Sequence, residues 1–292
     1  MTNQGAAVAN APAKINLYLH VTGKRADGYH LLDSLIAFAG TGDTIEASPA
    51  DTITLSCDGP FGAALASEPD NLVLKAARML AGQAGIANGA ALRLTKRLPI
   101  ASGIGGGSAD AAATLRALAQ LWQLTLAPDE MQKIAARLGA DVPICLHGRA
   151  AYIGGIGEII ADTAALPEAG IVLVNPGKSL STPAVFKNFC GPMSAAKRFD
   201  SMPLSTHALC ELLATRSNDL TEAAVALVPE IADVLAALAQ TPGALLARMS
   251  GSGATCFALF DDSLGAARAA KDLAMRQPSW WVQGAALISS HP

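Results

Sequence analysis

Aromatic side chains are scarce in this 292-residue chain, at 4% of the total, and charged residues make up only 15%. So little charge beside 51% hydrophobic residues is far from the composition that keeps a chain disordered, and a packed core is expected. The formal charge is -3, with no clustered Lys/Arg face, which leaves no electrostatic footprint for nucleic acid. No apolar run approaches the roughly 18 residues that suggest a spanning helix, because Asp, Lys, Pro and Gly punctuate every stretch, so no membrane partner is expected. Met1 to Ala13 lacks the basic start and apolar middle of a signal peptide, and the expected location is the cytoplasm. The five cysteines (Cys57, Cys145, Cys190, Cys210 and Cys256) are never in Cys-x-x-Cys spacing, so neither a disulfide framework nor a zinc site is indicated. Histidines 20, 30, 147, 207 and 291 show no metal-ligand spacing either.

What is present is aliphatic, chiefly alanine and leucine, in a length that suits two domains, with a boundary expected near Asp162 that gives residues 1–161 and 162–292. Pro12 to His20 alternates polar and apolar residues and predicts a strand. Ile15, Leu17 and Leu19 face its core side; Lys14, Asn16, Tyr18 and His20 share the other, which on its own reads as a solvated face. Two short strands are expected at Asp43–Glu46 and Asp51–Cys57, and another through Leu92 and Leu94. Asp70-Asn71 opens a capped helix ending at Gly82, Ser108 begins an alanine-rich helix, and Asp129–Leu138 forms a third. After Ala161 the order is a strand at 171–174, a Ser/Pro-rich loop region, helices around 220–238, paired strands at 248–249 and 256–260, a helix from Asp262 and a strand near 285–288, a compact α+β order.

The sharpest local signal is Pro99-Ile100-Ala101-Ser102-Gly103-Ile104-Gly105-Gly106-Gly107-Ser108-Ala109, with four glycines in five positions running into the alanine-rich helix. Glycine lets bare backbone approach a ligand and adopt positive φ, and the first-turn amides with the helix dipole favour an anion, phosphate being the natural occupant. Ser108 could cap the helix or offer a hydroxyl to phosphate or its metal. Neither common nucleotide fingerprint fits: no lysine stands between Gly107 and Ser108, and Ser108 occupies the place of the third dinucleotide-loop glycine. Gly154-Gly155-Ile156-Gly157 reads as a hairpin turn, whereas Ser250-Gly251-Ser252-Gly253-Ala254 could equally bring backbone near a substrate. Asp141, between Gly139-Ala140 and Val142-Pro143, reads alone as a turn residue. Tyr29-His30, after the Asp27-Gly28 turn, could stack on a base or be partly buried in the core.

Together these segments resemble the GHMP kinase superfamily: Pro12 to Leu17, Thr22 to His30, Lys96 to Pro99, the glycine loop, Gly139 to Pro143, Pro176-Gly177, Thr182-Pro183 with Phe186, and Gly251 to Ala254. Ala-Asp-Gly-Tyr-His and Gly-Ala-Asp-Val-Pro are similar to the branch that phosphorylates a cytidine diphosphate conjugate of methylerythritol. The resemblance implies a two-domain α+β fold, with an N-terminal ribosomal-protein-S5-domain-2-like nucleotide domain and a C-terminal ferredoxin-like α/β plait. It implies ATP as co-substrate, with Mg2+, and a small-molecule substrate for a monomer or weak homodimer. By resemblance Lys14 and Asp141 are catalytic and Asn16 orients substrate. The cytosine lies against Tyr29, His30 and Phe186 with Thr182 nearby, ATP phosphates lie on Gly103 to Ala109, and Asn71 and Lys96 are near the adenine. Asp110, often asparagine in the family, is expected to point away from ATP or to serve the first helical turn, and no glutamate stands between Ser108 and Glu130 to help hold Mg2+. Another small-molecule kinase of the superfamily, such as one for homoserine, and a nucleotide-binding sensor without turnover remain the other readings.

Overall fold

In a computed structural model, residues 5–65 and 71–288 are described. They divide into two compact units, one within Met1–Ala13, Gly42–Ile100 and Gly105–His147, the other within Lys14–Thr41, Ala101–Ile104 and Gly148–Pro292. The units interleave along the chain instead of meeting at one boundary. Among the described residues no helix is long and apolar enough to cross a membrane.

Two long strands begin the chain, β1 (Ala7–Lys24) and β2 (His30–Ala50), which pair with each other. The first unit continues with β3 (Thr54–Asp58), α1 (Leu72–Ala84), β4 (Gly89–Thr95), α2 (Gly106–Leu121), α3 (Pro128–Leu138) and α4 (Val142–His147). β4 runs antiparallel to the second half of β2 and parallel to β3, a pairing that needs the crossover α1 supplies. Asn71 caps α1 by accepting from the Val73 N–H, and Gly85, not Gly82, ends it at φ 63°; Asp70 lies outside the described residues. Helix α2 is apolar nearly all round, and it is accordingly buried, packed by α1 and α4.

The second unit holds β5 (Ala151–Gly155), β6 (Ile159–Asp162), β7 (Gly170–Asn175), α5 (Thr182–Asn188), α6 (Thr206–Ala214), α7 (Thr221–Leu227), α8 (Glu230–Ala239), β8 (Leu246–Met249), β9 (Cys256–Phe260), α9 (Ser263–Arg276) and β10 (Trp281–Ile288). Strands β5 and β6 form the hairpin expected at Gly154 to Gly157. Strands β10, β7, β9 and β8 lie side by side in that order, every pair antiparallel. With helices between β7 and β8 and between β9 and β10, this is the split βαβ arrangement of a ferredoxin-like plait. Its core joins Val172, Val174, Ile231, Val234, Phe260 and Leu273.

Several expectations are corrected. Every residue from Ala11 to Val21 is buried, so the polar face of β1 is not solvated. Its groups are satisfied internally: Tyr18 donates to Asp33 Oδ2 at 2.8 Å, and the His20 ring meets the Ala195 carbonyl and the Ser217 amide. Burial and the hydrogen bond to Asp33 raise the Tyr18 phenol well above its ordinary value. The short strand at Asp43–Glu46 is part of the 21-residue β2. Helices α5 and α6 occupy the segment read as a loop, and Pro183 sits in the first turn of α5, where its missing N–H costs nothing.

Candidate active site

The backbone of the glycine loop has a regular hand. Among the described residues, positive φ falls at Ala101 (50°), Gly103 (76°) and Gly105 (64°), every second position, while Ser102 and Ile104 keep the ordinary sign. Alternating hand turns successive amides toward one side, the concavity that holds anions. Helix α2, opening at Gly106, carries first-turn N–H groups and a dipole that favour an anion. Gly105 is the N-cap of α2 and no side chain caps the helix, so Ser108, at its third position, leaves its hydroxyl unspent on capping.

In the second unit, Ala101–Ile104 lies on the other glycine cluster. A Cβ on Gly103 would stand 2.5 Å from the Gly253 carbonyl oxygen, and one on Gly251 would stand 2.5 Å from that of Gly103. These glycines are required by close backbone approach, the use left open for Ser250 to Ala254 by the sequence. Asn218 holds the turn by donating to the Met249 and Gly251 carbonyls at 2.9 and 2.8 Å. Strand β1 reaches the same place: the Lys14 amide donates to the Ile104 carbonyl at 3.0 Å, and the Asn16 amide to Ser250 Oγ at 3.1 Å. Lys14 Nζ donates to Asn16 Oδ1 at 3.1 Å, and Asn16 Nδ2 to Ser34 Oγ at 2.8 Å. Lys14 and Asn16 are thus fixed on a buried strand beside Ala101–Ile104, which is how a precise site is best carried.

The aromatic group also assembles. His30 stacks on Phe186 with ring centroids 5.2 Å apart and meets Phe189 edge-on at 5.8 Å. Burial, then the Lys24 charge, holds the His30 imidazole below its ordinary value, so the ring is a neutral donor–acceptor at neutral pH. Tyr29 is 60% exposed, which excludes the core reading. Thr182 Oγ1 lies 2.7 Å from Ser252 Oγ.

In the first unit, Asp141 stands just before α4. Lys96 is spent on an internal ion pair: the side chain is 2% exposed and Nζ lies 2.6 Å from Asp43 Oδ2 and 2.5 Å from Asp110 Oδ2. Asp110 is therefore not a first-turn cap; it is one of the two carboxylates of a buried ion triad. A Cβ on Gly106 would stand 3.1 Å from Lys96 Nζ, so the triad supports the first turn of α2 from behind. Asp43 Oδ1 accepts from the Arg97 and Leu98 amides at 2.5 and 2.8 Å, while Asp110 Oδ1 is buried with no hydrogen-bond partner. Burial pushes the Asp110 carboxyl up to about 7 against the pull of Lys96. Burial alone would lower Lys96, but Asp110 and Asp43 outweigh it and raise the ammonium. Asn71 is spent through Oδ1 on capping α1.

Among the described residues no group of three or more His, Cys, Asp or Glu could hold a metal ion. Mg2+ is ordinarily held through substrate phosphates and water with one or two protein carboxylates, and a Ser or Thr hydroxyl on a phosphate loop can also serve, a place that Ser108 occupies here.

The family model for the GHMP kinases N-terminal domain matches residues 71–149, and that for the GHMP kinases C-terminal domain matches residues 201–276. The 4-diphosphocytidyl-2-C-methyl-D-erythritol kinase of Paramagnetospirillum magneticum is 51% identical over 279 residues, 96% of this chain and 98% of that protein. A crystal structure of 4-(cytidine 5'-diphospho)-2C-methyl-D-erythritol kinase superposes with a TM-score of 0.77 at 32% identity, covering 98% of this chain and 100% of the other. Homoserine kinase from Cytophaga hutchinsonii has a TM-score of 0.73 at 16% identity, covering 99% and 96%, a likeness of fold alone.

Proposed function

This chain belongs to the GHMP kinases, and from that premise we propose that it transfers the γ-phosphoryl group of ATP to the 2-hydroxyl of 4-diphosphocytidyl-2-C-methyl-D-erythritol, giving the 2-phosphate and ADP. The step belongs to non-mevalonate isoprenoid precursor synthesis. The observation that carries the reading is the loop of alternating hand at the start of α2, a seat for phosphate, in a chain whose close relatives bear that kinase name.

In the reaction the hydroxyl oxygen forms a bond to the γ-phosphorus as the bond from phosphorus to the β–γ bridging oxygen breaks and ADP leaves. Asp141 takes the hydroxyl proton. Lys14, oriented by Asn16, balances charge on the transferred oxygens. Loop residues 99–109 bind ATP, with its phosphates on 103–109, Asn71 lies toward the adenine, and the Lys96 triad acts behind the loop. Tyr29, His30 and Phe186 receive the cytosine, with Thr182 beside them. The Ser108 hydroxyl is the protein oxygen that would hold Mg2+ bound with ATP, and the ion would supply neutralisation of phosphate charge. Residues 1–161 carry the ATP loop with Lys14 and Asp141, and residues 162–292 add substrate contacts. The setting is the cytoplasm, where ATP is supplied, and the chain works as a monomer or weak homodimer.

Asp141→Asn tests the proton acceptor. ADP release with the cytidine conjugate falls by roughly 10² to 10⁴ while ATP binding is kept, the range for loss of a general base. Turnover close to that of the unaltered protein removes Asp141 from this role.

A further inference from the structure

The four carbonyls of Ala101–Ile104 are all turned inward and held. Leu180 N–H donates to Ala101 at 3.0 Å, Thr255 N–H to Ser102 at 3.1 Å, and Lys14 N–H to Ile104 at 3.0 Å. The fourth, that of Gly103, is met by a side chain, the Ser250 hydroxyl at 3.3 Å. A planar peptide points its C=O and the following N–H in opposite directions, so whatever fixes the Gly103 carbonyl also fixes the Ile104 N–H. Gly103, at φ 76°, is the residue of this stretch with the greatest freedom to let its peptide turn over.

We infer that Ser250 is a positioning residue for ATP: its hydroxyl locks the Gly103–Ile104 peptide with the Ile104 amide turned to the phosphate side of the loop. Ser250 is completely buried. Its Oγ accepts the Asn16 N–H, which leaves its own proton for Gly103. One hydroxyl therefore ties the strand that carries Lys14 and Asn16 to the loop. At 3.3 Å the bond to Gly103 is longer than an ordinary O–H···O bond, and it acts beside the three backbone bonds that fix the neighbouring carbonyls. Ser250 touches neither phosphate nor acceptor in this role; it acts through the peptide it holds.

The inference rests on the reading of residues 103–109 as the ATP phosphate loop, and its test separates the two. Calorimetric titration of the unaltered protein with ATP and Mg2+, and separately with the cytidine conjugate, establishes both affinities; absence of ATP binding there overturns the reading itself. Ser250→Ala is expected to weaken ATP about tenfold in Kd and KM, with the cytidine conjugate within twofold. Ser250→Cys, of similar volume and with a weaker donor, is expected to fall between the two. ATP binding within twofold of the unaltered protein in Ser250→Ala overturns the inference. So does an equal loss for both ligands with a lowered Tm, the mark of a purely structural residue. If Ser250→Ala is recovered unfolded, Ser250→Cys decides by the same criteria: selective weakening of ATP supports the role, and unchanged ATP binding or equal loss of both ligands contradicts it.

Discussion

At the scale of single residues, the site is defined by which side chains are spent inside the protein and which are left to a ligand. Lys96 is spent on two carboxylates and Asn71 on a helix cap, whereas Tyr29 stands 60% exposed beside the stacked His30. Exposure of that kind separates function from stability. Tyr29→Ala should weaken the cytidine conjugate by about 1 to 3 kcal/mol, the value of a base stacked on an aromatic ring, and should leave Tm unchanged. An unaltered KM for the conjugate takes Tyr29 out of the cytosine pocket. The residues that sequence alone left unread share a physical cause. Ser250 meets Asn16 from 234 positions away and Asp43 meets Lys96 from 53, and no local periodicity encodes such pairs. The glycine loop and the Asp27-Gly28 turn are legible because their backbone geometry is written in consecutive residues.

At the scale of elements, helices with strong caps and runs of alanine could be read directly, and α2 and α9 form where expected. Strand β2 could not: Gly40 and Gly42 resemble a break, yet a Cβ at Gly42 would collide with the Ala11 backbone, so the glycine marks close strand approach. Helix α2 rests on the Asp43–Lys96–Asp110 triad, which gives stability a definite dependence on pH. Asp110 keeps its proton up to about 7 in the folded protein but ionises near its ordinary value when unfolded. Between those values the native state holds the extra proton, so this group's contribution falls as pH rises from about 4 through 7. The raised Lys96 contributes stability in full below its ordinary value and loses it only as pH rises through the folded value. Asp110→Asn should therefore flatten the decline of stability between pH 5 and 8, a difference of about 1 to 3 kcal/mol readable as Tm against pH. A decline parallel to that of the unaltered protein would show that Asp110 does not carry the proton.

At the scale of the molecule, the fold is shared with the homoserine kinase of Cytophaga hutchinsonii, so fold does not choose the substrate. The proposed reading puts that choice in a few rings. The chain has ten Phe and Tyr residues in all, and Tyr29 and Phe186 are assigned with His30 to one cytosine. A kinase for homoserine has no use for such a group. The decisive measurement is the specificity constant for phosphorylation across a panel of the cytidine diphosphate conjugate, homoserine and mevalonate, with ATP and Mg2+ held constant. The account predicts efficient turnover of the conjugate to a product phosphorylated at its 2-hydroxyl, with the other two at background. Turnover of homoserine or mevalonate with none of the conjugate would contradict it.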